Sequence, residues 1–304
     1  LGDVYKRQIA DLDEDGGIET IVPCSSGDLQ ILNADGSPRW RTKIAENLYT
    51  APVVFTASQG GKRIVVGSGD AIVTCLDTSG KVLWTREVDS STDSSVSVGD
   101  IDQDGRPDIF LVTQEGQIWR FDEDGNPLWQ LLMGARCDAP GAIADVTGEG
   151  RLQYVLCTHN GRLLVLDASA NVLLDEMLTA SAYNATPAVG DVIPGGRREL
   201  VITGGGGGMV YCLASNAAAG APVEWGCYRA DERMSGEWKG RAAHATVTVI
   251  PSEDLTPDRL LSSTRSLQFT VKSRLPQPEK ENLQVTVKCL QPDGLCTVAT
   301  AKVQ

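Results

Sequence analysis

Two short stretches of the chain carry carboxylates at every second position. Asp11, Asp13, Asp15 and Glu19 fit D-x-D-x-D-G-x-x-E, and Asp100, Asp102, Asp104 and Asp108 fit D-x-D-x-D-G-x-x-D. Alternate residues of a tight loop turn their oxygens toward one centre, and Gly16 and Gly105 permit the sharp bend such a loop needs. Hard oxygen donors with no His or Cys among them suit calcium rather than a transition metal. Four acids held so close repel one another unless a cation lies between them. The chemistry to expect is structural: two calcium sites, each stapling a turn. An EF-hand is excluded by spacing. Its bidentate acid falls at loop position 12, occupied here by Val22 and Leu111, whereas the last acid of each pattern stands at position 9. The residues just after Glu19 and Asp108 are mostly β-branched and apolar, so each loop joins two strands. A third copy keeps part of the set in Asp145, Thr147 and Glu149, and copies near Ala57 and Asp191 have lost it.

The elements that position these loops recur with them. After each acidic turn and its strand come a Gly or Asp turn, a further strand, a second turn and a tryptophan. Trp40, Trp84 and Trp129 are 44 and 45 residues apart, Leu174 takes the next place after 45 more, and Trp225 the fifth after 51. Asp100, Asp145 and Asp191 keep the same rhythm at 45 and 46. Segments of small residues, 50–54, 95–100, 139–145 and 186–191, all but the second with a proline, lead into the acidic turns. A period near 45 residues with about four short strands per copy predicts a propeller blade, with the small segments as the crowded innermost strands. The tryptophans read as wedges between neighbouring blades. The fold class expected is all-β: a β-propeller with at least five blade-like repeats visible, seven or eight in the full protein, then a small or truncated β-sandwich-like domain.

The acidic loops resemble the FG-GAP or VCBS-type calcium loops of integrin-like propellers. The turn-plus-tryptophan segments resemble repeats of the propeller family that includes the pyrroloquinoline-quinone (PQQ) dehydrogenases. Residues 9–240 carry this hybrid pattern. By the resemblance, Gly17 and Arg106 at position 7 contribute main-chain carbonyls to the metal. The segment 225–238 resembles the W-x-x-x-R-x-D-x-R-x-x-G stretch that ends such propellers and supplies a strand to close the ring.

Residues 1–8 read as a non-native leader, resembling a translated sequencing adapter of metagenomic reading frames, with the repeat opening mid-copy at Ile9. Residues 241–304 hold three alternating apolar–polar runs, beginning at His244, Leu267 and Leu283, too few for a full immunoglobulin-like sandwich. A net charge of −13 with no Lys/Arg cluster excludes nucleic acid as a partner. No apolar run is long enough for a membrane-spanning helix. Eight cysteines include no C-x-x-C pair, and Cys212 with Cys227 and Cys289 with Cys296 are close enough in sequence to be disulfides. Cys24, Cys75, Cys137 and Cys157 read as small buried hydrophobes. Two histidines, His159 and His244, and no nucleophile elbow, zinc motif or phosphate loop argue against an enzyme.

The reading is a secreted, cell-surface or periplasmic calcium-binding propeller, a non-catalytic adhesion or scaffold module whose ligand is a protein or a polysaccharide. A polysaccharide lyase on a calcium-bearing propeller is the alternative. A quinone-dependent dehydrogenase ranks lower, because the PQQ-like likeness lies in the tryptophan turn and not in cofactor ligands.

Overall fold

In the computed structural model, residues 7–178, 185–193, 196–204, 209–231, 234–240, 248–251, 269–272, 284–291 and 294–302 are described. The chain divides into two units, Leu1–Arg241 and Ala242–Gln304.

The first unit is a β-propeller, and its repeats fold one after another into separate antiparallel sheets. Blade 1 holds β1 (Gln8–Ala10), β2 (Glu19–Pro23), β3 (Asp28–Leu32) and β4 (Pro38–Lys43). Blade 2 holds β5 (Val53–Thr56), β6 (Lys62–Gly67), β7 (Ile72–Asp77) and β8 (Val82–Glu87). Blade 3 holds β9 (Ser97–Gly99), β10 (Asp108–Val112), β11 (Gln117–Phe121) and β12 (Pro127–Leu132). Blade 4 holds β13 (Ala142–Ala144), β14 (Gln153–Cys157), β15 (Arg162–Leu166) and β16 (Val172–Met177). Among the described residues, blade 5 has three strands, β17 (Ala188–Gly190), β18 (Arg197–Gly204) and β19 (Met209–Ala218). Blade 1 opens at Gln8, which is buried and pairs with Ile21, so the sheet takes in the last residue of the expected leader.

The first strands of neighbouring blades lie closest to one another, which is why these segments are short and built from Ser, Val, Gly, Ala and Ile. β9 and β13 are wholly buried, while every residue of the outer strand β16 is exposed. Among the described residues, three apolar cores run in chain order: one joins blades 1 and 2, one blades 2 to 4, and one blades 4 and 5.

A bulge recurs at one place in each four-stranded blade, between Ile31 and Leu32, Cys75 and Leu76, Arg120 and Phe121, and Val165 and Leu166. Opposite it stand Trp40, Trp84, Trp129 and Leu174. Each tryptophan leans onto the next blade and donates its indole N–H to a turn carbonyl there. Trp40 reaches Thr78 O at 2.9 Å, Trp84 reaches Glu123 O at 3.0 Å and Trp129 reaches Ala168 O at 2.8 Å. Gly80 and Gly125 lie beneath the first two rings. A Cβ there would come within 2.7 Å of Trp40 and 2.5 Å of Trp84, so only glycine fits. Leu174 has no side-chain N–H to donate and is 36% exposed, so blade 4 meets blade 5 without this latch.

Trp225 does not continue the series. Fully buried, it lies in β20 (Val223–Trp225), which adds to the inner edge of blade 4 opposite Ile143. β21 (Glu237–Trp238) adds in parallel to β5, the inner strand of blade 2. The segment expected to close the ring as a blade strand therefore crosses the inner ends of the blades. The chain turns inward after β19, where Asp145 N donates to Pro222 O.

No disulfide joins Cys212 and Cys227, which corrects the pairing expected of them: Cys212 is exposed on β19 and Cys227 lies beyond β20. Cys75, Cys137 and Cys157 are buried as expected, whereas Cys24, just past the end of β2, is only half-buried; burial pushes the three buried thiols up to about 12.

The second unit contains β22 (Thr248–Pro251) paired with β23 (Phe269–Lys272), and β24 (Gln284–Gln291) paired with β25 (Gly294–Lys302). Cys289 and Cys296 are register partners across the second pair. His244 lies outside the described residues.

Candidate functional site

The acidic loops connect the first strand of a blade to the second: β1 to β2, β9 to β10, β13 to β14. One hydrogen bond builds all of them. The amide just after the first aspartate donates to the side chain seven residues on: Leu12 to Glu19 at 2.8 Å, Ile101 to Asp108 at 3.1 Å, Val146 to Gln153 at 2.8 Å. The fifth blade repeats it between Val192 and Glu199 at 2.9 Å. The first aspartate folds the bend. Asp11 Oδ2 accepts from Gly16 N at 3.1 Å, Asp100 Oδ2 from Gly105 N at 3.0 Å, and Asp145 Oδ2 from Gly150 N at 2.8 Å. The two D-x-D-x-D-G loops also share their backbone: Glu14 and Gln103 adopt left-handed φ of 62° and 63°, and Gly16 and Gly105 take 87° and 88°. Left-handed φ is costly outside glycine, so both loops store the same strain.

Within this frame, oxygens of Asp11, Asp13 and Asp15 lie within 4.8 Å of one another, as do those of Asp100, Asp102 and Asp108. Glu19 and Asp104 stand outside these groups. Glu19 is turned to the Leu12 amide, and Asp104 Oδ1 accepts from Arg106 N at 2.8 Å. Gly17 and Arg106 enter through their amides, Gly17 N donating to Asp15 Oδ1 at 2.6 Å. The Arg106 guanidinium turns to Glu123 and Asp124, at 3.3 and 3.0 Å.

The two groups differ in charge compensation. In the first loop, Asp11 Oδ1 is buried and has no hydrogen-bond partner among the described residues. Arg39 of β4 pairs with Asp13 at 2.8 Å from the rim and holds its carboxyl below the usual range. Lys62 Nζ donates to the Asp11 carbonyl at 2.6 Å. In the third blade's loop, Arg120 of β11 lies inside the cluster, only 6% exposed. It donates to Asp108 Oδ1 at 2.8 Å, to Asp102 Oδ2, and across to Ala168 O of blade 4 at 2.7 Å. Burial drives the Asp108 carboxyl up to about 7, against the pull of Arg120.

Arg39, Lys62, Arg120 and the buried Glu123 were not legible as partners of these loops. Arg120 carried one signal. It occupies the bulge position that holds Ile31, Cys75 and Val165 in the other blades, and a cation there demands a buried acid. Asp122 is a turn residue: its Oδ1 accepts from Asp124 N at 2.9 Å and Asn126 N at 2.8 Å.

The profile of a PQQ-like repeat family described as outer membrane protein assembly factor BamB matches residues 20–253. The chain belongs to this family. The PQQ-like part of the resemblance is thereby established, whereas the FG-GAP part rests on the acidic loops alone. Among solved structures, BBS1N in complex with ARL6DN, from crystals soaked with mercury, is 12% identical with a TM-score of 0.52, covering 71% of this chain and 66% of that one. The lead-soaked crystals of the same complex give 14%, 0.51, 69% and 61%. BamB from Moraxella catarrhalis gives 19%, 0.47, 69% and 62%. The chain thus spans 61–66% of the length of these structures, and the likeness to the BBS1N complexes shows the propeller fold. No curated protein matches significantly.

Proposed function

We propose that the chain is a non-catalytic binding and scaffold propeller working outside the cytoplasm, in the periplasm or at the cell surface, with a protein as its partner and one calcium ion in its first acidic loop. Membership of a family named for outer-membrane protein assembly supports the scaffold role and the compartment. BBS1N, a propeller of similar fold, was crystallised with a protein bound, which supports a protein partner.

The calcium reading is carried by one observation. Asp11 Oδ1 is buried and unpaired beside the oxygens of Asp13 and Asp15, an arrangement that a hard cation satisfies and that is costly without one. Asp11, Asp13 and Asp15 would hold the ion, whose chemistry is positive charge that ties the β1–β2 turn together. The third blade's loop fits less well, because Arg120 already supplies that charge.

Calorimetric titration of the metal-free chain with calcium tests this, the expected result being one site per chain. With affinity near ~10⁻⁴ M and ~1 mM calcium, binding adds about 1.4 kcal/mol. That corresponds to a rise in Tm of about 3–5 °C. Asp13→Ala should abolish the rise. Absence of heat on folded protein overturns the calcium reading.

A further inference from the structure

The segment formed by residues 223–231 and 234–238 touches the inner end of each of the five blades. β20 pairs with β13, and Val189 N of β17 donates to Gly226 O at 2.7 Å. The Asp100 amide, just after β9, donates to Glu224, which also accepts from Trp238 Nε1 at 3.2 Å. Gln8 of β1 donates to Ser235 O and accepts from Arg229. Val54 N of β5 donates to Gly236 O at 3.0 Å, and Glu237 pairs with Lys62 at 2.8 Å. Trp225 and Trp238, 0% and 5% exposed, are its two apolar anchors.

This segment is nevertheless ill fitted to be permanent core. Arg229, Ala230 and Met234 all adopt left-handed φ, of 61°, 75° and 53°, whereas the other non-glycine examples among the described residues stand singly. The indole N–H of Trp225 is buried with no hydrogen-bond partner among the described residues. Blades 2 and 4 keep complete four-stranded ladders of their own without it. It is held as an added strand, antiparallel on β13 and parallel on β5, which is how a sheet edge captures an extended peptide.

We propose that the inner edges of β5 and β13 form a docking site for an extended polypeptide, and that residues 223–231 and 234–238 occupy it as a tethered plug that a partner must displace. The occupant the site selects resembles the plug: an extended segment with two large aromatic side chains and an acid preceding the first. This names the partner class for the binding role proposed above and rests on that reading. It does not depend on calcium.

The test uses the full chain and a fluorescein-labelled peptide with the sequence of residues 221–239. The wild-type plug competes at the ~mM effective concentration of a short tether, so labelled peptide should bind weakly. Trp225→Ala/Trp238→Ala, which unseats the plug, should bind it at least about tenfold more tightly by fluorescence anisotropy. A folded double variant that binds no better than wild type overturns the proposal. Should that variant not fold, hydrogen exchange on the wild type decides. The amides of Val54 and Val189, bonded to the plug, should exchange well before those of Ile64 and Phe110 within the blades. Equal protection shows an integral strand and overturns the proposal. Either failure with calcium titration intact removes the plug alone and leaves the first loop's reading standing.

Discussion

The first and third blades carry the same D-x-D-x-D-G pattern in their acidic loops and the same backbone, yet they meet their charge in opposite ways. In blade 1 the cation of the chain, Arg39, stays at the rim, and a buried oxygen of Asp11 is left without a partner among the described residues. In blade 3 Arg120 reaches in from β11 and occupies the cluster itself. The D-x-D-x-D-G pattern therefore specifies the shape of a bend. On the proposed reading, a residue on another strand sets whether the bend also holds an ion.

The sharpest way to break the comparison is to remove Arg120. Arg120→Met leaves Asp108 buried beside Asp102 and Asp100 with no compensating charge, a loss of about 3–5 kcal/mol for a broken buried pair. The melting temperature should fall by about 6–20 °C. Millimolar calcium should then restore part of it, because the loop now has the charge deficit of blade 1. A fall with no calcium response would mean that Arg120 stabilises through its bond to Ala168 and not as the loop's cation.

The repeat itself was plain in the sequence, since tryptophans and acidic turns every 44–46 residues leave few folds open. The left-handed Glu14 and Gln103 arise from the loop pattern, and the small inner strands from crowding at the centre. Arg120 was harder to read. Its partners lie 12 and 18 residues away across a sheet, and only the break in an apolar column marked it. Trp225 misled for the opposite reason: it keeps the period approximately but leaves the sheet, because β19 runs ten residues and blade 5 has no fourth strand among the described residues. The Cys212–Cys227 pairing failed for the same cause, since the inward turn after β19 carries Cys227 away from the exposed face of the strand.

A smaller effect separates the loops by their response to calcium. Asp13→Ala should remove the whole shift of about 3–5 °C expected for one site with ~1 mM calcium. Asp102→Asn should leave it unaltered within about 1 °C, because Arg120 keeps Asp108 paired and the first loop is untouched. Equal losses in the two variants, by thermal melts with calcium and with chelator, would mean that both loops take the ion.

The smallest effect concerns the last acid of the pattern. In blade 4 the same place is filled by Gln153, whose Oε1 accepts from Val146 N at 2.8 Å, the distance of Glu19 from Leu12 N. An amide oxygen therefore builds this loop as well as a carboxylate does. Glu19→Gln should change stability by less than about 1 kcal/mol, the worth of its long contact with Arg39. Glu19→Ala should cost about 1–3 kcal/mol, because the Leu12 amide is left buried without an acceptor. Denaturant melts of the two variants separate a cap from a ligand. If Gln fails as badly as Ala, and only when calcium is present, the negative charge of Glu19 matters in itself. The ion would then draw on a fourth carboxylate beyond Asp11, Asp13 and Asp15.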